Sequence, residues 1–164
     1  MKIALLDNVR RNHAIEHATV TLLLERGARA PMGGYSISPG FVIWSRASLE
    51  EVALAARDAL DLLNAGESDL AISPYCGTNI VTYTVVGALA ARIFAGSKKN
   101  FWSVVRGAVA ALVAAAILGR PLGRLIQRHF TTLPNVAGVE LVEIRELFKN
   151  PVTVVWVSTT TWPD

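Results

Sequence analysis

Two apolar runs, Ile80–Ala95 and Phe101–Gly119, constrain this chain more than any other feature. Each is near the lower length limit for a helix that crosses a bilayer. Gly96-Ser97-Lys98-Lys99-Asn100 separates them as a short polar turn. Arg92 sits near the end of the first run and Arg106 near the start of the second. Both arginines are therefore on the turn side, where long side chains snorkel to the interface. Phe101 and Trp102 fall at the same level, as an aromatic belt does. Together these features predict a transmembrane helical hairpin, residues 77–119. The competing structure is a buried soluble αα-hairpin rich in alanine, because the runs are short for a span.

Small residues recur every fourth position, as Gly87, Ala91 and Ala95 on the first run and Gly107, Ala111, Ala115 and Gly119 on the second. Such stripes let helix backbones approach closely in lipid, within the hairpin or between copies. Pro121 is expected to end the second span. Leu122, Leu125, Ile126 and Phe130, set against Arg124, Gln127 and Arg128, read as a basic interfacial helix, with His129 an interface residue. Met1–Leu6 holds one lysine and a very short apolar run before Asp7, which does not fit a signal peptide. Basic residues outside the hairpin predict both ends in the cytoplasm.

The segments flanking the hairpin have soluble patterns. A helix is predicted over residues 8–27, capped by Asp7 or Asn8 and stopped by Gly27. Its second half, Val20 to Leu24, is apolar almost all round and predicts burial. Arg10 and Arg11 at its start would oppose the helix dipole. Gly33-Gly34 and Pro39-Gly40 read as turns, Tyr35–Ser38 and Phe41–Trp44 as a hairpin. Ser48 followed by Glu51 makes a capping box for a helix ending at Ala65-Gly66, which is expected to pack on the first helix. Gly138–Arg145 and Val152–Thr159 read as strands around Lys149-Asn150-Pro151. The expected architecture is α+β. Residues 1–76 form an N-terminal part, and residues 120–164 complete a small antiparallel sheet.

The chemistry-bearing stretch is Asn12–Ala18, Asn-His-Ala-Ile-Glu-His-Ala. His13 and His17 are four apart and share one helix face, with Glu16 beside them. Two imidazoles with an adjacent carboxylate can hold a metal and take a proton from its bound water. Histidines on a half-buried helix also commonly just hydrogen-bond to neighbours, with Glu16 orienting one of them. A zinc site would need a third ligand, for which Glu51 and Cys76 are candidates, though none of Glu50, Glu51 and Glu67 is marked by a motif. Thr78 can cap the helix that follows Ser73–Asn79. Cys76 would lie near that helix's N-terminus, which favours thiolate. It reads as a third metal ligand, a nucleophile paired with a histidine, or a small buried residue.

The hydrophobic share of 52% and mean hydropathy of +0.39 are high for a soluble chain. Net charge is +3, without a basic run interleaved with aromatics, so nucleic acid is not the expected partner. A single cysteine excludes an intrachain disulfide.

Through Asn12–Ala18, Gly33-Gly34-Tyr35-Ser36, Ser73–Asn79 and the apolar hairpin, residues 8–120 resemble an uncharacterised family of small bacterial membrane proteins found in phototrophs. That resemblance implies no activity. His13, Glu16 and His17 are also similar to the H-x-x-E-H signature of inverted zincins. That likeness implies Zn²⁺ held by His13 and His17 with Glu16 as catalytic base; the family's ligand glutamate on a separate helix has no marked counterpart here. Two functions follow: a membrane protein that assembles or stabilises a larger complex, with lipid and protein partners, or a zinc-dependent membrane hydrolase. A version with a haem or chlorophyll metal on either histidine ranks third, for want of a cofactor motif.

Overall fold

The computed structural model describes residues 2–96 and 100–161. The chain forms two units, one of Met1–Ser73 with Arg128–Asp164 and one of Pro74–Gln127. The architecture is α+β, with a four-stranded antiparallel sheet in the first unit.

In the first unit, α1 spans Lys2–Glu25, β1 Gly33–Ile37, β2 Gly40–Ser45 and α2 Leu49–Asn64. A 3₁₀ turn follows at Ser68–Ala71. The helix α1 begins well before the expected start, so Asp7 and Asn8 are interior residues and cap nothing. Asp7 instead pairs with Arg10 at 3.2 Å. Gly27, at φ 88°, stops α1 as its sequence predicts. Gly33 and Gly34 are strand residues here, not a turn. Helix α2 carries the full capping box: Ser48 Oγ accepts from Glu51 N–H and Glu51 Oε2 accepts from Ser48 N–H at 2.7 Å.

The sheet order is β1-β2-β4-β3, where β3 and β4 are Val139–Phe148 and Thr153–Thr161. Strand β2 pairs with β4, Phe41 opposite Val157 and Ile43 opposite Val155. All four side chains are fully buried, on the face that meets α1 and α2. Period-2 alternation puts Val42, Trp44, Val154 and Trp156 on the other face. Helix α1 supplies Ile15, Leu22 and Leu23 to the core, and α2 supplies Val52 and Leu63. Fully burying a side chain of this size contributes about 1.5–3 kcal/mol. Alanines at Ala14, Ala18, Ala55, Ala56 and Ala59 keep these helices thin where they pack.

The second unit is a helical hairpin of α3, Gly77–Ala95, and α4, Phe101–Ile126. Lys98 and Lys99 of the expected turn lie outside the described residues. Cys76, not Thr78, is the N-cap of α3: its Sγ accepts from Thr78 N–H at 3.4 Å. The expected stop at Pro121 does not occur. Pro121 is inside α4, and Gln127–Thr131 follows as a π turn in place of a separate interfacial helix. A proline forfeits one helical hydrogen bond, whereas unravelling an apolar helix exposes many backbone groups.

The small-residue stripes of the two helices meet. A Cβ on Gly107 would lie 3.1 Å from Ala95 Cβ, and one on Gly87 3.7 Å from Ala111 Cβ. At the other end Gly123 abuts Asn79. Asn79 Oδ1 accepts from Gln127 Nε2, and its Nδ2 donates to the Pro74 carbonyl, both at 2.9 Å. Gln127 was expected on a solvated face and is fully buried. Buried residues of the two helices are small or polar (Asn79, Thr82, Gly87, Ala90, Ser103, Gly107, Gly119, Gly123). Ile80, Val85, Leu89, Ile93, Leu112 and Ile117 point outward.

This packing predicts graded sensitivity. A methyl on Gly119 would enter the Tyr83 ring, 1.8 Å from Cδ1, whereas one on Gly87 meets the Ala111 carbonyl at an ordinary 3.5 Å. Gly119→Ala and Ala111→Leu should each lower hairpin stability in detergent by about 1–3 kcal/mol, and Gly87→Ala by less than about 0.5 kcal/mol. Thermal unfolding that ranks all three alike would contradict the helix interface.

Candidate functional site

Helix α1 runs through the centre of the first unit, and Ala14–Val20 are buried without interruption. A helix buried on every side must find partners for each of its polar groups. Its histidines find them in backbone carbonyls. His13 Nδ1 bonds the Thr131 carbonyl at 2.9 Å, and His17 Nδ1 bonds the Ala71 carbonyl at 2.8 Å. The rings lie 4.2 Å apart between centroids, tilted by 59°. A carbonyl can only accept, so Nδ1 carries a proton in both rings, and in a neutral imidazole the lone pair is then on Nε2. An imidazole held this way through Nδ1 is oriented to ligate through Nε2.

Glu16 is held by the sheet. Its Oε2 accepts from Ser36 Oγ on β1 at 2.5 Å. Gly34 makes room for it: a Cβ there would lie 2.5 Å from Glu16 Oε1. Burial raises the Glu16 carboxyl above the ordinary carboxylate range, opposed first by the Ser36 hydrogen bond and then by His13. The Gly-Gly-Tyr-Ser segment is thus the seat of Glu16, a role its sequence does not advertise. Ala71 and Thr131 escaped the sequence reading for a different reason, since any residue can offer a carbonyl.

The other candidates have their own surroundings. Glu51 is exposed at the start of α2, its carboxylate engaged in the capping box. Glu50 and Glu67 are exposed. Cys76 is buried at the start of α3, five residues along the chain from Ala71. Arg10 and Arg11, expected at the helix start, are structural ties. Arg10 Nη2 donates to the His129 carbonyl at 3.0 Å and to that of Thr132 at 3.4 Å, and Arg11 Nε to that of Asn135 at 3.1 Å. Asn12 Nδ2 donates to the Ile37 carbonyl at 2.7 Å and its Oδ1 accepts from Thr159 Oγ1 at 2.8 Å.

Fold and site define a class: an α+β unit built round a two-histidine helix and interrupted by an apolar helical hairpin. The chain belongs to a family described as a domain of unknown function, DUF6391, whose model matches residues 8–144. That match runs past the expected limit of residue 120 into β3. An uncharacterised protein of the cyanobacterium Picosynechococcus sp. (strain PCC 7002) is 33% identical over 155 residues, covering 87% of this chain and 76% of the relative. No solved structure matches the chain.

The buried carboxyl sets a pH dependence. Because its folded-state pKa is raised, Glu16 favours folding below its unfolded pKa, and that contribution is lost as pH rises through the folded one. In chelator-treated protein, Glu16→Gln should therefore melt higher than wild type at alkaline pH, with the gap closing under acid. Ser36→Ala should melt lower, by about 1–3 kcal/mol, for the lost partner of a buried group. Parallel pH–melting curves for wild type and Glu16→Gln would contradict the burial of a charge here.

Proposed function

We propose that this chain is an integral membrane protein whose α3 and α4 cross the bilayer. In it His13 and His17 bind a transition metal such as Zn²⁺. Its role is the assembly or stabilisation of a membrane complex. The observation that carries the metal reading is the pair of adjacent imidazoles, each fixed through Nδ1 by a backbone carbonyl. Imidazole ligands suit Zn²⁺ and exclude Ca²⁺ or Mg²⁺, which take oxygen ligands.

The membrane reading rests on the inverted hairpin. Both helices are long and apolar enough to cross a membrane. They bury glycine, alanine and polar groups while presenting isoleucine, leucine and valine outward. Water drives the opposite arrangement, and lipid permits this one. Two crossings return the chain to the side it left. That agrees with a first unit assembled from both flanks of the hairpin, which we place in the cytoplasm of a bacterial cell.

Zinc-dependent hydrolysis with Glu16 as base is the second reading. A buried carboxyl with a raised pKa suits a general base. The bond to Ser36 turns that carboxylate to β1, which supports assembly over catalysis.

Purified protein should hold one metal equivalent. Loaded with Co²⁺, it should show visible d–d absorption from the bound ion. His13→Ala and His17→Ala should lose the metal, while Glu16→Gln should keep it. Occupancy should fall with pH as protons compete for the ligands. Wild-type protein that takes up neither Zn²⁺ nor Co²⁺ would overturn the site.

The membrane reading has its own check. The full chain should stay with membranes after carbonate washing. Recovery in the soluble fraction without detergent would refute the spans.

A further inference from the structure

The sheet ends on β3, a ten-residue edge strand. Its register against β4 shifts between Leu141 and Glu143 and again between Glu146 and Phe148. These bulges confine regular edge to Glu143–Glu146. Within it Glu143 and Arg145 share the face away from the helices, as their partners Ser158 and Trp156 on β4 show. They approach one another at 3.9 Å, both more than half exposed. Ile144 faces the other way, opposite buried Val157, and packs against the core. Between this strand and α2 runs a groove of about 400 Å³ with a mixed lining, Leu49, Ala53, Leu141 and Ile144 together with Glu50 and Arg57.

We propose that β3 is a homodimer interface, pairing antiparallel with β3 of a second copy about a two-fold axis at Ile144. The charge pattern Glu143-Ile144-Arg145 is self-complementary in that register. Each Glu143 stands opposite the partner copy's Arg145, and each Arg145 opposite its Glu143, with Cβ atoms about 5 Å apart. The central isoleucines meet on the helix side, beside the groove of each copy. The contact is isologous and closes on itself, so it gives a dimer and no fibre. A shift of one residue would set Ile144 against a charge and lose both ion pairs. The surface is separate from the small-residue stripes, which face each other inside the hairpin.

Size-exclusion chromatography with light scattering on the full chain in detergent tests this. Wild type should be dimeric. Glu143→Arg and Arg145→Glu should each place like charges opposite and weaken the dimer by about tenfold or more. Both side chains are exposed, so circular dichroism should show an unchanged fold. The double variant Glu143→Arg/Arg145→Glu should restore dimerisation, because swapped charges remain complementary. Ile144→Cys should cross-link two copies under mild oxidant, beyond the level that Cys76 alone supports. A wild-type monomer overturns the proposal. So does a dimer that Arg145→Glu leaves intact and Ala111→Leu dissolves, or a double variant that stays monomeric.

Discussion

The polar groups of α1 govern the architecture of the first unit. A helix with water on one side can leave hydroxyls, amides and imidazoles to solvent. This one is buried from Ala14 to Val20, so Glu16 and His17 need protein partners, and half-buried His13 takes one as well. An unpartnered buried polar group costs about 1–3 kcal/mol. Each partner therefore fixes a piece of chain: Ser36 the position of β1, Ala71 the 3₁₀ turn, Thr131 the segment after the hairpin. Asn12 ties α1 both to the end of β1 and to β4. Apolar packing supplies most of the stability here, but it is non-directional; the hydrogen bonds select which arrangement is adopted.

The hairpin obeys a different logic. Its large side chains are outside, and close backbone approach at Gly87 and Gly107 holds its helices together. Its buried polar pair, Asn79 and Gln127, lies where the chain enters and leaves. Polar contacts between helices are modest contributors in lipid, but they are directional and set which residues stand level. Gly123 beside Asn79 shows the accommodation: a side chain there would occupy the amide's place.

How much of this the sequence discloses depends on whether a signal is local. The capping box of Ser48 and Glu51 is complete within four residues, and α2 forms where it predicts. The strands and the apolar helices are legible from periodicity for the same reason. The start of α1 is not, because Asp7 and Asn8 resemble caps while the helix continues back to Lys2. Pro121 misleads similarly, since its local penalty is outweighed by helix on both sides. Gly33-Gly34 suggests a turn, and the structure uses the absent side chains to admit Trp44 and Glu16. The histidine pair was visible as a pattern, but its carbonyl partners lie 54 and 118 residues away and bear no mark of residue type.

Those two carbonyls have a consequence for the order of assembly. Ala71 precedes the Pro74–Gln127 excursion and Thr131 follows it, so the two imidazoles grip the chain on either side of one long insertion. During synthesis His17 can find its carbonyl early, while His13 must wait until the hairpin has been made. Strand β2 waits as well, for β4. The N-terminal half therefore leaves the ribosome as an incomplete domain with an open sheet edge. Its closure reports that everything between has already emerged.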